Sequence, residues 1–344
     1  MITDPAELRL LVQEIFRALG SGPHEAERIA YYLVEANLVG HDSHGVIQVP
    51  RYVERVRAGH LIPNQQAEVV REGDWFAVLD GQLGFGQVMG ESALRLALAK
   101  CGQLGFAVVS LRHSGHLGRI GDWAELAARA GMISLHFVNT SGGGILVAPH
   151  GGIERRLSAD PIAAGVPVAE GLPIILDIST CTLAEGKLRL AANQGNPVPE
   201  GCILDNQGRP TTDPKDFYAN PPGAILPLGG HKGFALAVVV EILAGALSGG
   251  SCSRPGQKAV ANNMLSIVID PERFRDRAEF DRDIADFTAW VKSAATVTEG
   301  GEILMPGEPE HRTRQQRSRE GIPLDETTWA QLRQAAESVG VAAR

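Results

Sequence analysis

Basic charge is in short supply: 32 Lys and Arg stand against 40 Asp and Glu in 344 residues, a formal net charge of −8. A chain that grips a phosphate backbone carries the opposite balance, so nucleic acid is not an expected partner. Cysteine is scarce too. Cys101, Cys181, Cys202 and Cys252 lie far apart with no Cys-x-x-Cys pair, which argues against a disulfide framework and fits free thiols in a cytoplasmic setting. No apolar run reaches the ~20 residues of a membrane span. The most apolar stretch, Phe234 to Leu247, carries Glu241 inside it and reads as a buried core helix. Met1-Ile2-Thr3-Asp4-Pro5 lacks the basic and apolar blocks of a secretory leader.

What the sequence does hold is glycine, 40 residues, well above the usual ~7% and without collagen-like period. Tight turns and close backbone approaches follow. The length suggests about two domains. Asp4, Pro5 and Glu7 open a helix with Leu8, Leu11, Ile15 and Leu19 on one face; a second runs from His24 and a third over Val49 to Arg57. From Trp75 short apolar runs take over: Trp75–Leu79, Phe106–Ser110, Ile133–Val138, Ala163–Val168, Ile174–Ile178 and later Met264–Ile269. Helical segments alternate with these strands, so the centre is α/β. The chain ends helical, Phe280–Val291 and Glu326–Val339. The reading is therefore a discontinuous helical domain, residues 1–73 with 275–344, around an inserted α/β domain, residues 74–274. Glu308 to Arg319 reads as a solvated charged face, with phosphate binding as its alternative.

Asp80-Gly81-Gln82-Leu83-Gly84-Phe85-Gly86-Gln87-Val88-Met89-Gly90 follows a strand and opens a helix, as a dinucleotide-binding turn does. Its G-x-G-x-x-x-G spacing is one residue too long, and no Asp or Glu between Glu91 and Asp122 is present to hold a ribose. A plain strand-to-helix turn fits better. Two histidine pairs, His41-Asp42-Ser43-His44-Gly45 and His113-Ser114-Gly115-His116-Leu117-Gly118, sit in turn-like stretches suited to proton transfer. Helix capping and a zinc site, the latter implying a metal-dependent hydrolase or lyase, are the competing readings. Leu176-Asp177-Ile178-Ser179-Thr180 is a strand running into a polar turn ahead of Lys187. Leu228-Gly229-Gly230-His231-Lys232-Gly233 opens the apolar helix with free amides and a lysine, an anion site in form.

Together these segments, with Ala246–Gly250 and Met305-Pro306-Gly307-Glu308, resemble the malate/L-lactate dehydrogenase family from end to end. Val198–Cys202, Pro210–Pro214 and Gly321–Asp325 are most similar to its bacterial hydroxycarboxylate branch. The resemblance implies a non-Rossmann, sulfolactate-dehydrogenase-like fold and a homodimer. It also implies nicotinamide-dependent hydride exchange between a 2-hydroxy acid and its 2-oxo acid, with reduction of a cyclic imino acid or diketo sugar acid as a variant.

By that resemblance His116 is the acid/base, with His44 and Ser43 completing the polar wall. Asn139, Thr140, Asp177, Ile178, Ser179, Lys187, His231, Lys232, Gly233, Gly307 and Glu308 hold the cofactor, and no metal is required. Gln48 stands where many relatives carry an arginine for the substrate carboxylate, and a neutral amide does not replace that charge. Arg119, three residues after His116 on an expected helix, is proposed to take over, with Gln48 and Arg51 as further substrate-side candidates. Asp160 replaces a common asparagine, which tilts the expectation to NAD, with NADP as the alternative.

Overall fold

Asp4 accepts from the amides of Ala6 and Glu7 and starts the helix Pro5–Ala18, whose inner face is Leu8, Val12, Ile15 and Phe16. Helix Pro23–Leu38 packs on it, then two 3-10 turns, Asp42–His44 and Val46–Gln48, lead into helix Val49–Arg57. The far end of the chain returns here. Ile322–Pro323 pairs antiparallel with Ile2–Thr3, and helix Glu326–Ser338 sends Leu332, Ala335 and Ala336 into the core formed by Leu8, Ile29, Leu33, Val49 and Tyr52. The computed structural model describes residues 1–142, 144–256 and 260–342.

The centre is a seven-stranded sheet in the order Glu68–Glu72, Phe76–Asp80, Phe106–Ser114, Ala261–Ile269, Ile133–Ser141, Ile162–Val166, Ile174–Ile178. Its one parallel pair joins Phe76–Asp80 to Phe106–Ser114 through helix Gly86–Leu104. All other neighbours are antiparallel, so this is not the parallel sheet of a Rossmann domain. Helices Gly86–Leu104 and Gly121–Arg129 cover one face, burying Met89, Leu94, Trp123, Val109, Val138 and Met264.

The opposite face is different. Phe76, Val108, Ile267, Leu135, Ala164 and Leu176 are register partners across six strands, and all six are half-exposed. Helix His231–Val240, prolonged as a π-helix over Glu241–Ala246, lies at one end of this face, where Glu241 meets Asn139. The sequence made this segment a buried core helix. Gly233, Ala237, Val240 and Ala244 are indeed buried, but Leu236, Val239, Ile242 and Leu247 are exposed. The correction has a physical reason: the helix has two apolar faces and this chain covers one.

The arginine-rich stretch is likewise more than a solvated surface. Glu308–Glu320 is a helix whose Arg314 pairs with Glu35 and Glu125 and whose Arg317 grips Asp42. Arg312, paired with Glu302 at the surface, and the exposed Arg319 keep the rest of the helix the solvated face that the sequence suggested.

Candidate active site

Asn37 shapes the loop that carries Ser43 and His44. Its Nδ2 donates to Asp42 and its Oδ1 accepts from the Val46 amide. A Cβ at Gly45 would sit 2.1 Å from that Oδ1, so only glycine fits. From the other side Arg317 donates to the Asn37 carbonyl at 2.5 Å and to both Asp42 oxygens at 2.6 and 3.1 Å.

The loop carrying His116 is held as closely. His113, at φ 51°, turns its ring to Asp80 and takes the Asn263 Oδ1 on its amide. Leu117 donates to Asn262 at 2.9 Å. The glycine stretch after Asp80 packs directly beneath: a Cβ on Gly86 would lie 2.1 Å from the His116 carbonyl oxygen, and one on Gly81 would lie 3.1 Å from Ser114 Cα. The stretch that imitates a dinucleotide turn is a seat for the His116 loop.

These loops bring His44 and His116 face to face, with centroids 5.7 Å apart and planes within 14°. Ser43 Oγ is 3.1 Å from His44 Nδ1. Burial lowers both rings, His44 to about 4 despite the attraction of Asp177, and His116 to about 3 with help from His44 and Arg55. Both are neutral at pH 7, as a proton acceptor must be. The Tyr52 hydroxyl is 2.7 Å from His116 Nδ1. Tyr52 was not among the sequence candidates; its one signal was a tyrosine among buried helix positions, where a hydroxyl must find a partner.

The other members of the two histidine pairs turn away, His41 to Glu310 and His113 to Asp80. The pairs therefore do not converge as a zinc site would. Among the described residues no group of three His, Cys, Asp or Glu side chains has that arrangement.

On the substrate side, a Cβ at Gly186 would lie 2.6 Å from Ser43 Cβ, so the start of helix Glu185–Gln194, with Lys187, closes over Ser43. Arg51 reaches the same helix, 3.8 Å from Glu185 and one-third exposed. Gln48 donates to the Ser43 carbonyl at 2.6 Å and so braces the loop. Arg119 requires a correction. The expected helix begins only at Gly121, and the Arg119 side chain is 1% exposed, bonded to Asp122 and Glu125 at 2.8 and 2.7 Å and 3.7 Å from Asp177. Three carboxylates already hold its charge, leaving none for a substrate.

The cofactor candidates gather along the last strand of the sheet. Ile175 donates to the Pro306 carbonyl, and Gly307 lies against Pro173 and Ile175, at the start of the strand that ends in Asp177 and Ile178. Leu228 donates to the Thr180 carbonyl, bringing His231, Lys232 and Gly233 to the Asp177–Ser179 end. Gly229 and Gly230 have φ 58° and 64°, and no side chain caps the helix they precede. The free amides expected from the sequence are mostly used: those of Gly230, Lys232 and Gly233 donate back to the carbonyls of Pro227, Gly229 and Leu228, so what fits a phosphate of a dinucleotide is the exposed Lys232 at the positive end of this helix. Several candidates are otherwise engaged; Asp177 accepts from the Gly121 amide at 2.9 Å and Ser179 donates to the Cys181 carbonyl. Asn139 is fully buried, donating to Glu241 at 2.7 Å. Thr140 accepts from Asn262, and Glu308 pairs with Lys292 at 2.5 Å. Asp160, the basis for preferring NAD, is fully buried at φ 40° beside Ser158. Burial and Glu241 hold its pKa well above the carboxylate range, so it faces no phosphate and that argument falls.

The family model described as malate/L-lactate dehydrogenase matches residues 3–333. Hydroxycarboxylate dehydrogenase B of Escherichia coli strain K12 is 40% identical over 98% of this chain and 94% of its own. A solved Escherichia coli structure superposes with TM-score 0.95 at 40% identity, covering 99% of this chain and 96% of that one. The sulfolactate dehydrogenase of Methanocaldococcus jannaschii superposes at 0.87 with 33% identity, covering 99% and 98%. The chain belongs to the malate/L-lactate dehydrogenase family and has that group's non-Rossmann fold.

Proposed function

We propose that this chain is a nicotinamide-dependent dehydrogenase interconverting a small 2-hydroxy acid and its 2-oxo acid, with His116 as the acid/base. The observation that carries the reading is the pair of stacked histidines, kept neutral by burial, with Asp177 of the cofactor candidates near enough to act on His44. The bound nicotinamide supplies hydride chemistry; Lys232 with the helix end it stands on, Asp177–Ser179 and Gly307 would hold it. His116 takes the hydroxyl proton in oxidation and returns it to the carbonyl oxygen in reduction. His44 and Ser43 orient that oxygen. The substrate carboxylate is an anion that offsets the burial of the imidazolium, which favours the charged form of His116 once substrate is bound.

Arg51 anchors the carboxylate on this reading, because Arg119 is sealed off and Gln48 is neutral. Purified chain, His116→Ala and Arg51→Met are assayed with NADH and NADPH against pyruvate, oxaloacetate, 2-oxoglutarate, glyoxylate and a cyclic imino acid. Oxidation of cofactor that disappears in His116→Ala, with the KM for 2-oxo acids raised ~10-fold or more in Arg51→Met, is the expected result. Turnover preserved in His116→Ala would remove the assignment. The imino acid tests the imine-reducing variant, and NADH and NADPH enter on equal terms.

We infer a homodimer as well, and the uncovered sheet face supports it. Apolar residues on both faces of a sheet call for two covering layers, and Leu236, Val239 and Ile242 extend the open side. Helix Arg277–Lys292 buries none of its residues and leaves Phe287 and Trp290 exposed. A second copy of this chain covers these surfaces. Sedimentation should give twice the 36.6 kDa mass, and Val239→Asp with Ile242→Asp should return it to one.

A further inference from the structure

Tyr52 is 1% exposed on the inner side of helix Val49–Arg57, beside Phe16 and Phe85. Its hydroxyl meets three groups: Gln87 Nε2, which donates at 3.0 Å, His116 Nδ1 at 2.7 Å and the His116 carbonyl oxygen at 3.5 Å. Gln87 is equally buried, at the start of helix Gly86–Leu104. A phenol has one proton and two accepting lone pairs. If the proton pointed to Nδ1, the carbonyl would lose its partner and the imidazolium form of His116 would meet a donor with a donor. If the proton points to the carbonyl, Oη accepts from Gln87 and from Nδ1–H, and all three contacts are matched. Turning the Gln87 amide over changes little: its Oε1 would take the phenol proton, and Oη would still accept from Nδ1.

We propose that Tyr52, backed by Gln87, is a positioning residue that holds neutral His116 as the Nδ1–H tautomer and so leaves Nε2 bare toward the substrate. The inference rests on His116 being the proton carrier. One arrangement then serves both halves of the cycle: Nε2 accepts the hydroxyl proton, and the resulting imidazolium still donates Nδ1–H to the same Oη. The groups around the ring otherwise resist that charge, with His44 stacked on it and Arg55 on the helix of Tyr52. The phenol is suited to stay protonated throughout, since burial raises it to about 12.

The test has two readouts. In wild-type chain labelled with ¹⁵N-histidine, the His116 signals, assigned by their loss in His116→Gln, should show a protonated Nδ1 and a bare Nε2. Tyr52→Phe should lower kcat for 2-hydroxy acid oxidation at least ~10-fold, a share of the ~100- to 10,000-fold that acid–base catalysis contributes. KM and NADH affinity should stay within about twofold, and the acid limb of kcat/KM should move to lower pH, because the imidazolium loses its acceptor. A protonated Nε2 in the wild type, or wild-type kcat and pH profile in Tyr52→Phe, overturns the proposal. If Tyr52→Phe does not fold, Gln87→Leu and the wild-type spectrum decide. The spectrum needs no turnover, so it stands or falls separately from the choice of substrate.

Discussion

At the scale of single residues, Arg119 shows how burial decides a role. A guanidinium three positions from the acid/base looked available to a substrate, but it is enclosed by Asp122, Glu125 and Asp177. Removing it leaves those carboxylates facing one another in a buried place, where burial already lifts Asp122 to about 7. Arg119→Met should therefore lower unfolding free energy by ~3–5 kcal/mol, seen as a drop in Tm, while KM for 2-oxo acids in the surviving folded fraction stays near wild type. A raised KM at unchanged Tm would restore Arg119 to the substrate. His44, His116 and Ser43 were legible because polar residues in glycine-bounded turns are placed for use. Tyr52 and Gln87 were not, because periodicity marks both simply as inward-facing helix positions and says nothing of what their polar ends meet.

At the scale of elements, strands and helices were legible nearly throughout: short apolar runs became strands and the 3.6 period of the chain ends became helices. Strand order was not, since the partners of Ala261–Ile269 are Phe106–Ser114 and Ile133–Ser141, more than a hundred residues away. The helix Glu308–Glu320 was missed because it is polar all round and holds its place by ion pairs rather than an apolar stripe. That gives it a part in the site. Arg317 fixes the loop of Ser43 and His44 through Asn37 and Asp42, so Arg317→Ala should cost roughly 1–3 kcal/mol of charge-assisted bonding. It should also lower kcat/KM several-fold with little change in far-UV circular dichroism. Unaltered kcat/KM would mean the loop holds itself.

At the scale of the whole molecule, three histidines set the response to acid: His136, fully buried, and the half-buried His44 and His116. His44, His116 and His136 sit at about 4, 3 and 3, mainly through burial, against an ordinary value near 6.5. The unfolded chain binds these protons first, so stability is full above pH 6.5 and declines as pH falls toward 4. Asp122, raised to about 7, works in the opposite direction over the whole of that range, and Asp160 and Glu185, which burial also raises, act with it. Between pH 7 and pH 4.5 the Tm of His136→Gln should therefore fall less, or rise more, than that of the wild type, and an unchanged slope would contradict the burial of that histidine. The pairing of Ile2–Thr3 with Ile322–Pro323, and of Leu8 and Leu33 with Leu332 in one core, has a consequence for synthesis. The helices flanking the His44 loop are made about three hundred residues before those that close their core. Until then Val12, Ile29 and their neighbours lack their cover, so a chain whose synthesis halts short of Ile322 leaves its earlier helices unfinished, the part a chaperone or protease would find first.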